Sequence, residues 1–398
     1  MGFPVPVGFK LAAVYCGLKT SGEDKLDLSL ITCDRNATAA GVYTTNLVFA
    51  APVGLDRART PSDKIRAIVI NSGNANACTG ERGDQDAQRM AELAAASCGA
   101  TADQALVLST GIIGVFLPME KVEAGVRDAT PRLASDEASL VAAARGMLTT
   151  DSTHKLANKS LQVAGQTVQI TGMAKGAAMI GPKMATMLGL ILTDAAISPA
   201  DAQRLLSFAV EDTFNCISVD GHMSTNDTVL LVASGAAGNK PLAGADLEAF
   251  GKALHQVCGD LAKAIPADGE GATHLVTIQV TGCASVDAAR QIAKVVSESA
   301  LVKTAIAGAD PNWGRIVSAA GYANVPFDPA KVGLRVNGVT LYDRGAPVAF
   351  DRVAASKSIR ENRDTSIELS FGEGEARARF WTTDLTAEYV RLNADYTT

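Results

Sequence analysis

The plainest regularity along the chain is a short, unbroken apolar run, Leu188 to Leu192, set between turn-forming residues. A run of that length bounded by turns predicts a strand covered on both faces. Ala67 to Ile70, Ala105 to Leu108, Val229 to Ala233 and Leu275 to Val280 predict strands as well. Elsewhere apolar positions recur at helical spacing. Met90, Leu93 and Ala94 predict a helix over Gln85 to Cys98, and Leu247, Phe250, Leu254, Val257, Cys258 and Leu261 a longer one over Ala245 to Ala264. Further helices are expected over Glu120 to Arg127, Asp136 to Met147 and Val286 to Ser297, with a helix start at Asp310 to Arg315. Ser198-Pro199-Ala200-Asp201 reads as an N-cap with proline in the first turn and an acid three residues on, opening a helix to Phe214. The first 60 residues alternate short apolar runs with Gly, Asn and Asp, which predicts strands. A hairpin is expected around Gly165-Gln166, ahead of the central apolar run, and the last part of the chain reads as β-rich with a hairpin turn at Asn337-Gly338.

The pattern is mixed α/β without a Rossmann glycine fingerprint. At 398 residues the chain is too long for one ordinary core, so two subdomains are expected.

Charge and composition narrow the function classes. A net charge of −6 argues against nucleic acid as the main partner, because phosphate binding needs clustered Lys and Arg. No apolar run is long enough to span a membrane. The seven cysteines form no CxxC pair and no secretory signal pattern is present, so reduced thiols and a cytoplasmic location are expected. The four histidines show no i, i+4 pair, and no metal site is expected.

Hydroxyls, carboxylates and a lysine are therefore left as candidates for chemistry. Lys175 stands in the Gly-rich approach Gly172 to Ala178, and Ala185-Thr186 precedes the buried run. A threonine hydroxyl needs a base, and one arrangement supplies it as the α-amine freed when the chain is cut just before that threonine. The plainer alternative for Thr186 is a strand residue capping its own backbone. Ser109-Thr110-Gly111 ends a predicted strand and could present a hydroxyl and an uncluttered N–H together, as an oxyanion hole requires. Asn71 to Ala77 is either a plain turn or a ligand-facing loop of small amides.

Taken together, Lys175 to Ala195, with Met184-Ala185-Thr186-Met187-Leu188 and Thr193-Asp194-Ala195, resembles the signature of the bifunctional glutamate/ornithine acetyltransferases of arginine biosynthesis. Thr44-Thr45-Asn46, Asn71 to Ala77, Ser109 to Gly114, Thr149 to Asp151, Ser224 to Thr228, Asp268 to Ala272, Asp310 to Arg315 and Tyr389 to Thr398 resemble that family in the same order.

The resemblance implies a layered αββα sandwich of N-terminal-nucleophile type with a smaller α/β portion from about residue 240. It implies self-cleavage at Ala185/Thr186 into an α chain (1–185) and a β chain (186–398), assembled as α₂β₂. Thr186 would be the nucleophile, and Thr110 and Gly111 the oxyanion hole. Lys175, Thr186, Glu270, Asn393 and Thr398 would bind substrate, with a further hydroxyl from Thr149, Thr150 or Ser152. The implied reaction moves an acetyl group from N2-acetyl-L-ornithine to L-glutamate without a dissociable cofactor, and leaves acetyl-CoA open as a second donor. The rival reading is an aminopeptidase or amidase on a related scaffold, with water as acceptor. The chain departs from the family pattern at Ser152, where threonine is usual, at Lys183, where a non-basic residue is usual, and at His222-Met223.

Overall fold

A computed structural model describes residues 2–19, 25–163, 165–181 and 187–395. The first part of the chain runs β1 (Phe9–Val14), β2 (Leu28–Tyr43), α1 (Ala51–Arg59), β3 (Ser62–Asn74), α2 (Gly80–Ala96), β4 (Ala105–Ile112), α3 (Met119–Ala129) and α4 (Glu137–Gly146). It continues through β5 (Lys155–Val163), β6 (Gln166–Lys175), β7 (Leu188–Thr193), α5 (Pro199–Glu211), β8 (Ile217–Ser218), β9 (Thr228–Ala233) and α6 (Gly244–Ala267). The remainder is β10 (Leu275–Cys283), α7 (Val286–Glu298), α8 (Ala300–Ala307), α9 (Trp313–Gly321), β11 (Gly333–Val336), β12 (Val339–Asp343), β13 (Ala346–Pro347), α10 (Arg352–Glu361), β14 (Asp364–Ser370), β15 (Ala376–Thr383) and α11 (Ala387–Asp395).

Strand β2 organises the larger body. Its first half pairs with β1 and β3, and its second half pairs with β9. The register with β3 shifts between Thr32 and Ala37, a bulge of the kind that bends a strand. One strand thus serves two half-sheets, β1-β2-β3-β4 and β2-β9-β7-β6-β5.

Alternation of side chains then builds the layers. Ile68, Ile70, Leu106 and Leu108 of the first half-sheet share one core with Leu188, Leu190, Leu192, Leu230 and Val232 of the second. The intervening residues Ala67, Val69, Ala105 and Val107 face outward and pack with α2 and α3. Ile191, Val229 and Leu231 face the other way and pack with α5 and α6. The result is the expected αββα sandwich. Every residue of β7 is buried, because helices cover one face and the opposing half-sheet the other.

The second sheet has the order β13-β12-β11-β14-β10-β15-β8. Val276, Ile278 and Val280 of β10 pack with α7, α8 and α9, while Gln279 and Thr281 on the opposite face are exposed. Helix α6 packs on β5 and β6 of the sandwich, so in this part of the chain the smaller body begins with β10. Strand β8 lies between α5 and β9 in sequence and pairs with β15, which ties the two bodies.

Caps explain several helix starts. Ser198 accepts from the N–H of Asp201, Ser285 from Ala288 and Asn312 from Arg315. Two expectations need correction. Residues 51–59 form α1 rather than a strand, with Pro52 in the first turn where its missing N–H costs nothing. The closing part is not simply β-rich, since it contains α10, capped by Asp351, and α11.

Candidate active site

Strand register gathers the polar residues at one end of the sandwich. Lys175, the last residue of β6, pairs with Leu188 at the start of β7, which pairs with Thr228 at the start of β9, which pairs with Tyr43 at the end of β2. Next to this row, β3 and β4 run parallel and end together, with Gly73 opposite Gly111. A cleft of about 300 Å³ opens there, lined by Thr110, Gly111, Thr149, Thr150, Lys175, Glu270 and Asn393, among others.

Gly111 is required by packing. It has φ +135°, and a Cβ at that position would lie 2.3 Å from the carbonyl carbon of Gly73. No side chain fits where two strand ends approach so closely. Thr110 beside it is buried, and its Oγ1 accepts a hydrogen bond from Lys175 Nζ at 3.2 Å. With one lone pair taken by the lysine, the Thr110 hydroxyl proton is free to point at an acceptor in the cleft.

Lys175 is buried, and burial lowers its pKa while nearby Asp151 opposes that shift. The Asp151 carboxyl is buried too. Burial would raise its pKa, but Lys175, Lys155 and the N–H of Gly176 together hold it below the ordinary value. Asp151 Oδ1 accepts from Lys155 Nζ at 2.7 Å and from Gly176 N at 2.6 Å, and Lys155 also reaches Asp268 Oδ2 at 2.7 Å. This network fixes the backbone that carries Lys175.

The far end of the chain closes the cleft. Asn393 on α11 donates to Glu270 Oε2 at 2.9 Å, and the Glu270 N–H donates to Ala177 O at 2.9 Å. Gly271, at φ +65°, lets α11 approach, since a Cβ there would sit 2.5 Å from Tyr389 N. Tyr389 Oη donates to Asp220 Oδ2 at 3.1 Å.

Thr110, Gly111, Lys175, Glu270, Asn393, Thr149 and Thr150 thus meet in one place. Ser152 does not line the cleft. It is exposed, and its N–H donates to Asp268 Oδ2 at 3.1 Å. The expectations for Lys183, Ala185, Thr186 and Thr398 fall outside the described residues.

The amide loop resolves toward scaffolding. Asn71 donates to Asn74 O at 2.8 Å, Asn74 to Val115 O at 3.0 Å, and Asn76 to Gly83 O at 2.9 Å. Only Ala75 of the run Asn71 to Ala77 lines the cleft. Asn226 clamps this loop to β4 by donating to Ala75 O at 2.7 Å and Ser109 O at 2.8 Å.

Sequence reasoning gave no role to Asp151, Asp220, Asn226, Asp227 or Tyr389. Each lies in or beside a block that matched the family pattern, but a carboxylate or amide in a polar loop carries no periodic signal of its own.

Comparison with known proteins places the chain. The ArgJ family model matches residues 10–398. The arginine biosynthesis bifunctional protein ArgJ of Rhodopirellula baltica is 46% identical over 397 residues, covering 99% of this chain and 96% of that protein. Its counterpart in Symbiobacterium thermophilum is 45% identical over 399 residues, covering 100% and 98%. A crystal structure of the arginine biosynthesis bifunctional protein argJ from Bacillus halodurans is 40% identical with a TM-score of 0.50, over 51% of this chain and 96% of that one. The chain belongs to the ArgJ family.

Proposed function

We propose that the protein is an acetyltransferase of arginine biosynthesis that moves the acetyl group of N2-acetyl-L-ornithine to L-glutamate. Thr186 is its nucleophile, and the reaction is ping-pong. The observation that carries this reading is the convergence at one cleft of Thr110, Gly111 and Lys175 from one end of the sandwich with Glu270 and Asn393 from the later chain. Met187, the residue after Thr186, sits beside the row that contains Lys175.

In the first half-reaction the Thr186 hydroxyl attacks the acetyl carbonyl, and the α-amine of Thr186 takes its proton. Part of that amine is free base at neutral pH, since its reference pKa is about 7.7–8.0. The Thr110 hydroxyl and the Gly111 N–H hold the tetrahedral oxyanion, each such donor contributing roughly 3–4 kcal/mol. The amide C–N bond then breaks, ornithine leaves with the proton on its α-amine, and an acetyl ester remains on Thr186. In the second half-reaction the α-amine of glutamate attacks that ester, giving N-acetyl-L-glutamate and restoring the hydroxyl.

Glu270, steadied by Asn393, faces the cleft where a substrate ammonium would sit, and Lys175 offers a positive group for a carboxylate or the developing oxyanion. Of the candidate hydroxyls, Thr149 and Thr150 are the ones on the cleft wall. As written, the chemistry calls on no cofactor, and acetyl-CoA is a second donor to be tried rather than a required one.

Two chains, 1–185 and 186–398, arise by self-cleavage in this reading and assemble as α₂β₂ in the cytoplasm. In support, the Bacillus halodurans chain is matched along 96% of its length while covering only 51% of this one, the proportion expected of one fragment. Incubation of the purified protein with N-acetylornithine tests the activity. Sustained formation of ornithine together with N-acetylglutamate should require added glutamate, with no more than one ornithine per enzyme released in its absence. Acetate released without glutamate would favour the hydrolase instead.

A further inference from the structure

The two half-reactions ask opposite things of one cleft. N-acetylornithine brings a side-chain ammonium and glutamate a side-chain carboxylate, and each must present its α-nitrogen at the same point. Among the described residues that line the cleft, the side chains able to carry charge at neutral pH are Lys175, Asp220, His222 and Glu270. Lys175 stands at Thr110, to whose Oγ1 it donates at 3.2 Å. The two carboxylates are gathered by α11 instead, because Asn393 donates to Glu270 Oε2 and Tyr389 Oη to Asp220 Oδ2. Both act on the same phenol: burial raises the Tyr389 pKa, and Asp220 and Glu270 add to the rise. A wall with two carboxylates suits an ammonium and repels a third carboxylate.

His222 belongs to that wall, and its backbone is pinned. The Ile180 carbonyl accepts from the N–H groups of Val219 at 2.8 Å, Asp220 at 3.1 Å and Gly221 at 3.1 Å, and Asp220 Oδ1 accepts from the His222 N–H at 3.1 Å. Gly221, at φ +74°, makes the turn that brings Asp220 and His222 together to the cleft. Behind the turn lies Glu298 of α7, whose Cγ would be 3.6 Å from a Cβ on Gly221. The His222 ring is exposed and has no hydrogen-bond partner among the described residues, so its donors are open to a ligand.

We propose, on the reading of the reaction given above, that His222 selects the acceptor: its ring receives the side-chain carboxylate of glutamate in the second half-reaction, at the wall where Glu270 meets the ornithine ammonium in the first. An imidazole suits a place that both substrates use. It can donate to a carboxylate with a positive charge, and it sheds that charge near neutral pH rather than holding it against an ammonium. The residue is also one at which the chain departs from the family pattern.

In a ping-pong reaction kcat/KM for N-acetylornithine reports the first half-reaction and kcat/KM for glutamate the second, so the two roles separate in one set of initial rates. These are measured for wild type, His222→Ala and His222→Lys, with glutamate and with glutamine, its uncharged isostere, as acceptors, and with thermal unfolding as a check on folding. In His222→Ala, kcat/KM for glutamate should fall about tenfold, while the values for glutamine and for N-acetylornithine stay within about threefold. His222→Lys should keep glutamate within about threefold of wild type and lower kcat/KM for N-acetylornithine about fivefold, because a permanent charge opposes the ammonium. Equal losses for glutamate and N-acetylornithine in His222→Ala would make the residue a structural one and overturn the proposal. A preference for glutamate over glutamine that is unchanged in His222→Ala would overturn it as well. A wild-type protein that makes no N-acetylglutamate would instead overturn the proposed reaction itself, a failure seen before any variant is tested.

Discussion

The end of β6 and the start of α8 each bury a lysine, and the two are held in opposite ways. Lys303 donates to Thr382 Oγ1 at 3.0 Å, to Thr383 Oγ1 at 2.9 Å and to the Thr383 carbonyl, so three acceptors complete its ammonium group. It does not line the cleft that Lys175 lines. Lys175 is buried as deeply but has a single hydrogen-bond partner among the described residues, the Thr110 hydroxyl, and it lines the cleft. Burial lowers the pKa of both, that of Lys303 to about 8. The comparison teaches that a buried charge by itself says little about function. A lysine with all its donors spent holds structure together, and one left incomplete at a cleft wall is available to a substrate.

Four substitutions sharpen or break that contrast. The largest effects should come from Lys175→Met and Thr110→Ala, each lowering kcat/KM by about 10²–10³ because each removes a group that meets charge in the transition state. Thermal unfolding should show Lys175→Met at least as stable as wild type, since the desolvation of an incompletely paired charge is relieved. A strongly destabilised Lys175→Met protein would mean that this lysine is structural after all.

Lys303→Met should behave in the reverse way. It strands the Thr383 carbonyl and two hydroxyls in a buried site, costing about 2–4 kcal/mol in denaturant unfolding while kcat per folded molecule is unchanged. The smallest effect belongs to Asn393→Ala. Loss of the single bond to Glu270 should raise KM for N-acetylornithine by about tenfold, equivalent to roughly 1.4 kcal/mol, with kcat nearly constant. A collapse of kcat there would move Asn393 from binding to chemistry.

Much of the sandwich was legible in the sequence, because its core strands are continuous apolar runs and its helices are amphipathic. The run Leu188 to Leu192 predicted a doubly covered strand, and β7 is one. Helix α11 was not legible: none of its described residues is buried, so it has no apolar stripe to announce it. The same limit applied to the cleft. Thr110 and Gly111 stood out by their place at a predicted strand end, Lys175 by its place in a Gly-rich approach, and all three by family resemblance. Asp227 and Asp220 could not, since what distinguishes them is which backbone N–H groups they receive, a property of folded geometry. Ser152 shows the converse, a hydroxyl in the right block whose backbone is turned to Asp268 instead.

The central claim is that Thr186 is both the cut site and the acetylated residue. Intact-mass analysis of the purified protein, before and after incubation with N-acetylornithine alone, tests it most directly. The account predicts two polypeptides that meet at Ala185/Thr186, with one acetyl group gained on the first residue of the C-terminal polypeptide. The Thr186→Ala protein should remain one chain and gain none. An uncut wild-type chain that transfers acetyl groups, or an acetyl group found on any other residue, would contradict it.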